Sequence, residues 1–228
     1  MNIEKIMGTT KLIIVRHGNT FSKGETPTRV GAKTDLDLVE NHRGTSIGKY
    51  LKDNQLFPDV VFSSPLKRCK QTAQQAIDEM GIEREIIIHE SFTEIDYGPD
   101  ENKTEEDVLV RLGDGDPLKG KKIIDLWNSD TIVPPGWNVN PDQIIKDWKN
   151  LAQKVATDYR GQTVLIVSSN GIIRFAPHIT EDFNSFSKEY DLKVATGSLS
   201  IFELTENVNA KWTCQGWNEK PYKSYPKK

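Results

Sequence analysis

The sequence predicts an α/β protein built as three layers, α/β/α, around a mostly parallel sheet with at least one antiparallel strand. Short aliphatic runs alternate along the chain with stretches of helical periodicity that carry their own caps. Two strand-like segments follow one another near the C-terminus with no helical pattern between them. No linker is long enough to divide the chain, so residues 1–228 are expected to form one domain.

Each element has its own signal. Lys11–Val15 is an aliphatic run ending in Arg16, His17 and Gly18, and reads as a buried strand feeding a loop. Asp59–Ser63 repeats the pattern through Val60, Val61 and Phe62. Ser64 then offers an N-cap and Pro65 a first helical residue. That helix puts Leu66, Cys69, Ala73, Ala76, Ile77 and Met80 on one face and stops at Gly81. Ile86–Ile88 is a third strand. Thr104–Leu112 reads as a helix, Gly113–Gly120 as a loop and Lys121–Asn128 as a short helix, before Val133–Gly136 breaks the chain. Asn140 caps and Pro141 starts a helix over 140–160, with Ile144, Ile145, Trp148, Leu151, Ala152, Val155 and Tyr159 on one face and Gly161 at its end. Val164–Ser168 is a fourth buried strand, followed by a turn of Ser169, Asn170 and Gly171 and a helix from Ile172. Leu192–Leu204 alternates as a strand, Ala210–Gly216 pairs with it, and the polar tail from Glu219 is expected to fray.

Composition excludes several function classes. Lys+Arg 30 against Asp+Glu 33 gives a net charge of −3, so no basic excess is available to hold nucleic acid or an anionic membrane. The longest aliphatic runs, Leu12–Val15 and Val164–Val167, fall far short of the ~20 apolar residues of a membrane span. Met1–Thr10 lacks a basic flank ahead of an apolar stretch, so no signal peptide and a cytoplasmic location are expected. Cys69 and Cys214 make neither a disulfide framework nor a metal-site spacing, and no metal or cofactor is expected.

In a parallel sheet covered on both faces, the ligand site lies at the carboxyl ends of the strands. Arg16, His17, Asn19 and Thr20 follow the first strand, and Ser63–Arg68 the second. Glu94–Gly98 comes a few residues after the third, and Ser168–Gly171 after the fourth. These clusters are expected to converge on one rim. The guanidinium fork of Arg16 and Arg68 suits phosphate oxygens. A neutral His17 imidazole is a nucleophile toward phosphorus. Glu94 can protonate a leaving oxygen, and N–H groups of the 168–171 turn can add donors. Singly, each residue has a plainer reading. His17 can be a structural hydrogen bonder, Arg68 a surface residue, and Glu94 one acid in a solvated loop with Asp96, Asp100 and Glu101. Their joint placement raises the functional reading to equal standing. His42, His89 and His178 sit in no motif and read as structural.

Leu12–Thr20, with its Arg-His-Gly, resembles the signature of the histidine phosphatase superfamily, in the phosphoglycerate-mutase-like branch. Ser63–Ala73 is similar to that family's second phosphate-arginine motif, and Phe92–Gly98 to its proton-donor motif. Val164–Arg174 is similar to its last catalytic strand and turn, and Ser198–Asn218 to its closing strands, so the resemblance covers residues 11–218. It implies a phosphoglycerate-mutase-like fold and a small phosphorylated substrate, without a cofactor. His17 would take the phosphoryl group, Arg16 and Arg68 would clamp it, and Glu94 would be the general acid. Asn19, Thr20, Ser169 and Asn170 would add phosphate and substrate contacts, and residues 99–140 would form a lid.

The sequence also departs from that family. Ser169 stands where the family pattern has a second histidine that donates to the phosphoryl group. Serine is shorter and never cationic, and losing one such donor can cost ~10²–10³ in rate. Asn170 or the backbone of the turn can compensate. Lys23 stands where sugar-phosphate-specific members carry asparagine. Tyr97-Gly98 is followed by Pro-Asp-Glu-Asn-Lys, unlike the mutases, which favours a phosphatase. Trp127, Trp137, Lys103, Lys119, Lys121 and Lys122 lie in the lid region and can stack on or neutralise an anionic ligand, although core anchors and a solvated loop are their plainer roles. Three functions stay open: a metal-independent phosphatase working through a phosphohistidine on His17, a mutase-type phosphotransferase, and a weakened member that binds a phosphorylated ligand or a partner.

Overall fold

Six strands, β1 (Thr10–Arg16), β2 (Val60–Ser63), β3 (Ile86–Ile88), β4 (Thr163–Ser168), β5 (Leu199–Leu204) and β6 (Trp212–Glu219), form one sheet in the order β3-β2-β4-β1-β5-β6. The coordinates are a computed structural model that describes residues 9–205 and 210–226; most of the N-terminal stretch read for a signal peptide lies outside them. β1, β2, β3 and β4 pair in parallel, and β5 pairs antiparallel with both β1 and β6, in keeping with the mostly parallel sheet with at least one antiparallel strand that the sequence predicts. The central strands alternate their apolar side chains between two cores, which is why they read as unbroken aliphatic runs. Ile13, Val15, Val61, Leu165 and Val167 face α1 (His42–Asp53) and α2 (Lys67–Met80). Leu12, Ile14, Phe62, Val164 and Ile166 face the other layer, which includes α3 (Glu105–Leu112), α4 (Pro117–Asp130), α5 (Pro141–Asp158), α6 (Asn170–Ile173) and α7 (Phe183–Glu189).

Several boundaries differ from the sequence reading. α2 begins at Lys67, because Ser64 makes no cap hydrogen bond and Leu66 takes the N-cap position in extended backbone. α4 begins at Pro117, not after a loop to Gly120, since Asp116 caps the Leu118 N–H and Pro117 sits in the first turn. α6 begins at Asn170 rather than Ile172. α1 was not expected because only Ile47 and Leu51 carry its apolar face; Gly44, Ser46 and Gly48 complete the buried side. A Cβ at Gly48 would stand 2.5 Å from the Ala76 carbonyl oxygen, so glycine lets α1 lie directly on α2. α7 carried no sequence signal, since Phe186 is its only buried side chain. The tail is ordered as α8 (Pro221–Ser224), packed on α1, with the Tyr225 hydroxyl donating to Asp53 at 2.8 Å.

The largest correction is residues 192–198, which alternate like a strand but form a loop ahead of β5. Their N–H groups have other acceptors. Val194 donates to Asn170 Oδ1 at 2.9 Å and Ala195 to Asn218 Oδ1 at 2.8 Å. Gly197, at φ 66°, donates to the carbonyls of Arg16 and His17 at 3.1 and 2.9 Å. The loop is thereby fastened to the end of β1. Among the described residues, no helix is long and apolar enough to cross a membrane.

Candidate active site

β1 and β4 are neighbours in the middle of the sheet, with Arg16 level with Ser168 at their carboxyl ends. A cavity of about 380 Å³ opens there. Arg16, His17, Asn19, Thr20, Glu94 and Asn170 all line it, so six of the eight side chains expected from the sequence stand on one wall. Arg68 and Ser169 are fully buried behind that wall.

His17 is held by its backbone, its N–H donating to the Ser168 carbonyl at 3.1 Å. Its Nδ1 lies 2.8 Å from the Gly18 carbonyl oxygen. A carbonyl can only accept, so Nδ1 carries the hydrogen and Nε2 keeps its lone pair. Burial, then the charges of Arg68 and Arg16, hold the imidazole well below its ordinary value of 6.5, so it is neutral at physiological pH. Glu94 has the opposite shift. Burial raises its carboxyl above the ordinary 4.5, opposed by Arg68, by the N–H groups of Ile95 and Gly171, and by Arg16. Those N–H groups donate to its two oxygens at 2.9 and 3.2 Å. A Cβ at residue 171 would fall 2.4 Å from Glu94 Oε1, which fixes glycine beside the acid.

Arg16 donates through Nη1 to the Val194 carbonyl. Asn170 accepts from the N–H of the same residue through Oδ1, which leaves its Nδ2 hydrogens for the cavity. Arg68, from the first turn of α2, donates to the carbonyls of Thr34 at 2.9 Å and of Val30 and Gly31 at 3.3 Å. It therefore fixes the 30–34 loop while lying close enough to His17 and Glu94 to shift both. Ser169 turns its hydroxyl toward Cys69 Sγ, 3.8 Å away. The turn's backbone is also engaged. Gly171 N–H serves Glu94, and Ile172 and Ile173 donate to the Ser169 carbonyl at 3.1 and 2.9 Å.

The lid residues take their plainer roles. Trp127 and Trp137 belong to the core, and Lys103, Lys119, Lys121 and Lys122 are exposed away from the cavity wall. Sequence reasoning missed Arg29, Tyr97, Lys193 and Thr196 on that wall. One signal was present for Arg29: residues 17–41 form a long segment without helix or strand, a length that marks functional loops. Lys193 and Thr196 were hidden by the strand-like alternation of 192–204. Among the described residues, no group of three or more histidine, cysteine or acidic side chains could hold a metal ion.

A buried neutral histidine, a buried carboxyl whose pKa is raised and an arginine at the end of β1, with Arg68 behind them, suit a phosphate ester. Residues 12–220 match the family model of the histidine phosphatase superfamily (branch 1), and the chain belongs to that family. It is 29% identical over 199 residues to a 2,3-bisphosphoglycerate-dependent phosphoglycerate mutase from Bartonella bacilliformis, covering 85% of this chain and 91% of the relative. Among solved structures, it resembles a phosphoglycerate mutase from Bacillus anthracis with a TM-score of 0.73, 18% identity and 96% coverage of each chain. It also resembles a mycobacterial glucosyl-3-phosphoglycerate phosphatase, with a TM-score of 0.72, 17% identity and coverage of 92% of this chain and 99% of the other.

Proposed function

We propose that the protein hydrolyses a small phosphate monoester, without a metal, through a phosphohistidine on His17. Its family makes phosphoric monoester hydrolysis its class of reaction. The observation that best supports the reading is His17 itself, neutral, with Nδ1 held by Gly18 and Nε2 left as the nucleophile. In this mechanism Nε2 attacks phosphorus, the bond to the ester oxygen breaks, and Glu94 gives that oxygen its proton. Glu94, now a carboxylate, takes a proton from water as the water attacks the phosphohistidine, which releases phosphate and restores both groups. Arg16 and Arg68 balance charge on the phosphoryl oxygens, and Asn19 and Thr20 contact the bound ester. Asn170 Nδ2 supplies the donor that Ser169 does not. Residues 99–140, the expected lid, contribute no side chain to the cavity lining and act on it from behind, through Trp137 packed on Tyr97 at 4.7 Å between ring centres. The reading includes a cytoplasmic location.

The test is phosphate release from a panel of metal-free phosphate esters by wild type and His17→Ala. The variant is expected to lose turnover and keep its circular dichroism spectrum, and wild type is expected to yield acid-labile, alkali-stable phosphate on His17. Undiminished turnover in His17→Ala would overturn the assignment. The curated mutase relatives favour a second reading, phosphotransfer between phosphoglycerates. Dependence of turnover on a bisphosphorylated primer would select it. Tight phosphate binding with no turnover would select the weakened, ligand-binding member.

A further inference from the structure

In the sequence Glu101 reads as one acid of a solvated loop, but its carboxylate is engaged on both oxygens. Oε1 accepts from the N–H groups of Gly31 and Lys33, each at 3.0 Å, and from the Thr34 hydroxyl at 2.8 Å. Oε2 accepts from the Tyr97 N–H at 3.3 Å. One side chain thus gathers donors of the 30–34 loop and fastens them to the segment that carries Glu94. The two segments meet elsewhere as well. The Ala32 N–H donates to the Ile95 carbonyl at 3.0 Å, and Lys33 pairs with Asp96 at 2.8 Å. The fit leaves no slack, since a Cβ at Gly31 would stand 2.2 Å from Glu101 Oε2.

Arg68 holds the same loop from the opposite side. Its Nη1 donates to the Thr34 carbonyl, and its Nη2 to the carbonyls of Val30 and Gly31. The peptide between Val30 and Gly31 is trans, so its carbonyl and its N–H point opposite ways. Arg68 takes that carbonyl and Glu101 takes that N–H. Neither charged group can shift without turning this peptide against the other. Glu101 lies outside the cavity lining, so it reaches the site only through what it holds. Resting on the phosphatase reading, we propose that Glu101 is a positioning residue for Arg68, holding the 30–34 loop in the shape whose carbonyls seat the guanidinium beside His17. Among the charges that lower the His17 pKa, that of Arg68 acts most strongly, so a displaced guanidinium would let the imidazole titrate higher.

The test measures binding of inorganic phosphate by calorimetry on the full chain, and kcat/KM on phenyl phosphate across pH. Glu101→Ala is expected to bind phosphate about 10-fold more weakly, the scale of one charged hydrogen bond. Glu101→Gln keeps an oxygen for the loop but turns an NH2 group toward the Tyr97 N–H. It should lose about threefold, as a neutral acceptor replaces a charged one, and it reports even if Glu101→Ala folds poorly. Arg68→Gln should lose affinity too. Adding Glu101→Ala to it should change affinity by less than about twofold, because a residue that acts through Arg68 then has nothing to act on. The acid limb of the kcat/KM profile should move to higher pH in Glu101→Ala, which a loss of stability alone would not do. Wild-type affinity in both Glu101 variants overturns the positioning role, as does an undiminished further loss in the Arg68→Gln background. Should either occur while wild type still hydrolyses phenyl phosphate, the role fails and the phosphatase reading stands. If phosphate affinity follows Glu101 through Arg68 but no ester is turned over, the role stands and the phosphatase reading falls.

Discussion

His17 and Glu94 sit in one buried site and are shifted in opposite directions, which sets the pH behaviour. In the proposed mechanism His17 must lose its proton to attack, and its pKa lies below 6.5; Glu94 must keep its proton to donate, and its pKa lies above 4.5. For an alkyl phosphate, kcat/KM should rise with pH as His17 deprotonates and fall as Glu94 does. Glu94→Gln should remove the alkaline fall. Comparing profiles of wild type and variant cancels the ester's own ionisation near pH ~6. An alkaline limb unchanged in Glu94→Gln would move the acid role elsewhere. Ser169 gives a second prediction at this scale. Its hydroxyl is fully buried against Cys69 at 3.8 Å, where an imidazole would overlap the thiol. Ser169→His alone should lose ~1–3 kcal/mol of stability through overpacking. With Cys69→Ala added, stability should recover and turnover should rise by up to ~10²-fold, the scale of one transition-state donor. A double variant no faster than wild type would mean that the site is rebuilt around Asn170. Arg16 and His17 were legible in the sequence because they stand at the end of β1, and strand ends are easy to locate; Glu94, six residues beyond β3, was legible from the motif around it. Arg29, Tyr97 and Lys193 reach the cavity through loop geometry, which no periodicity reports.

Elements were legible where a cap and an apolar stripe coincide. α5 carries both, with Asn140 accepting from the Gln143 N–H and Trp148, Leu151 and Val155 buried in a row. α3 has the capping box of Thr104 and Asp107. Reading failed where side chains capture backbone groups, as at 192–198, or where glycines replace the apolar stripe, as in α1. The joint between the 3-10 turn at residues 98–100 and the helices beyond it depends on one buried acid. Asp100 is 1% exposed, receives both Arg111 Nε and Nη2, and accepts from Trp137 Nε1 at 2.7 Å. Asp100→Ala leaves a half-buried guanidinium and a buried indole N–H without their acceptor and should cost about 3 kcal/mol. Thermal unfolding should show Tm lower by roughly 6–12 °C, and a loss under about 2 °C would contradict this account of the joint.

For the whole molecule, the burial of Arg16 and Arg68 beside His17 makes stability depend on the anion in solution. A ligand bound only by the folded state at ~100 times its Kd adds ~2.7 kcal/mol. Inorganic phosphate at that level should therefore raise Tm by roughly 5–10 °C. Chloride at equal ionic strength should not, and equal effects of the two anions would remove the case for a specific anion site. The position of β1 has another consequence, for the chain as it leaves the ribosome. β1 is made first, yet Leu12 pairs with Val164 on one side and Phe202 on the other. The Arg16 and Asn170 side chains are then braced by Val194, and the carbonyls after β1 by Gly197. A nascent chain thus holds His17 well before the residues of the last quarter that fix the loop around it. Until β4 and β5 are made, the apolar side chains of β1 have neither strand partner, which is the kind of unpaired edge that exposes a folding chain to aggregation.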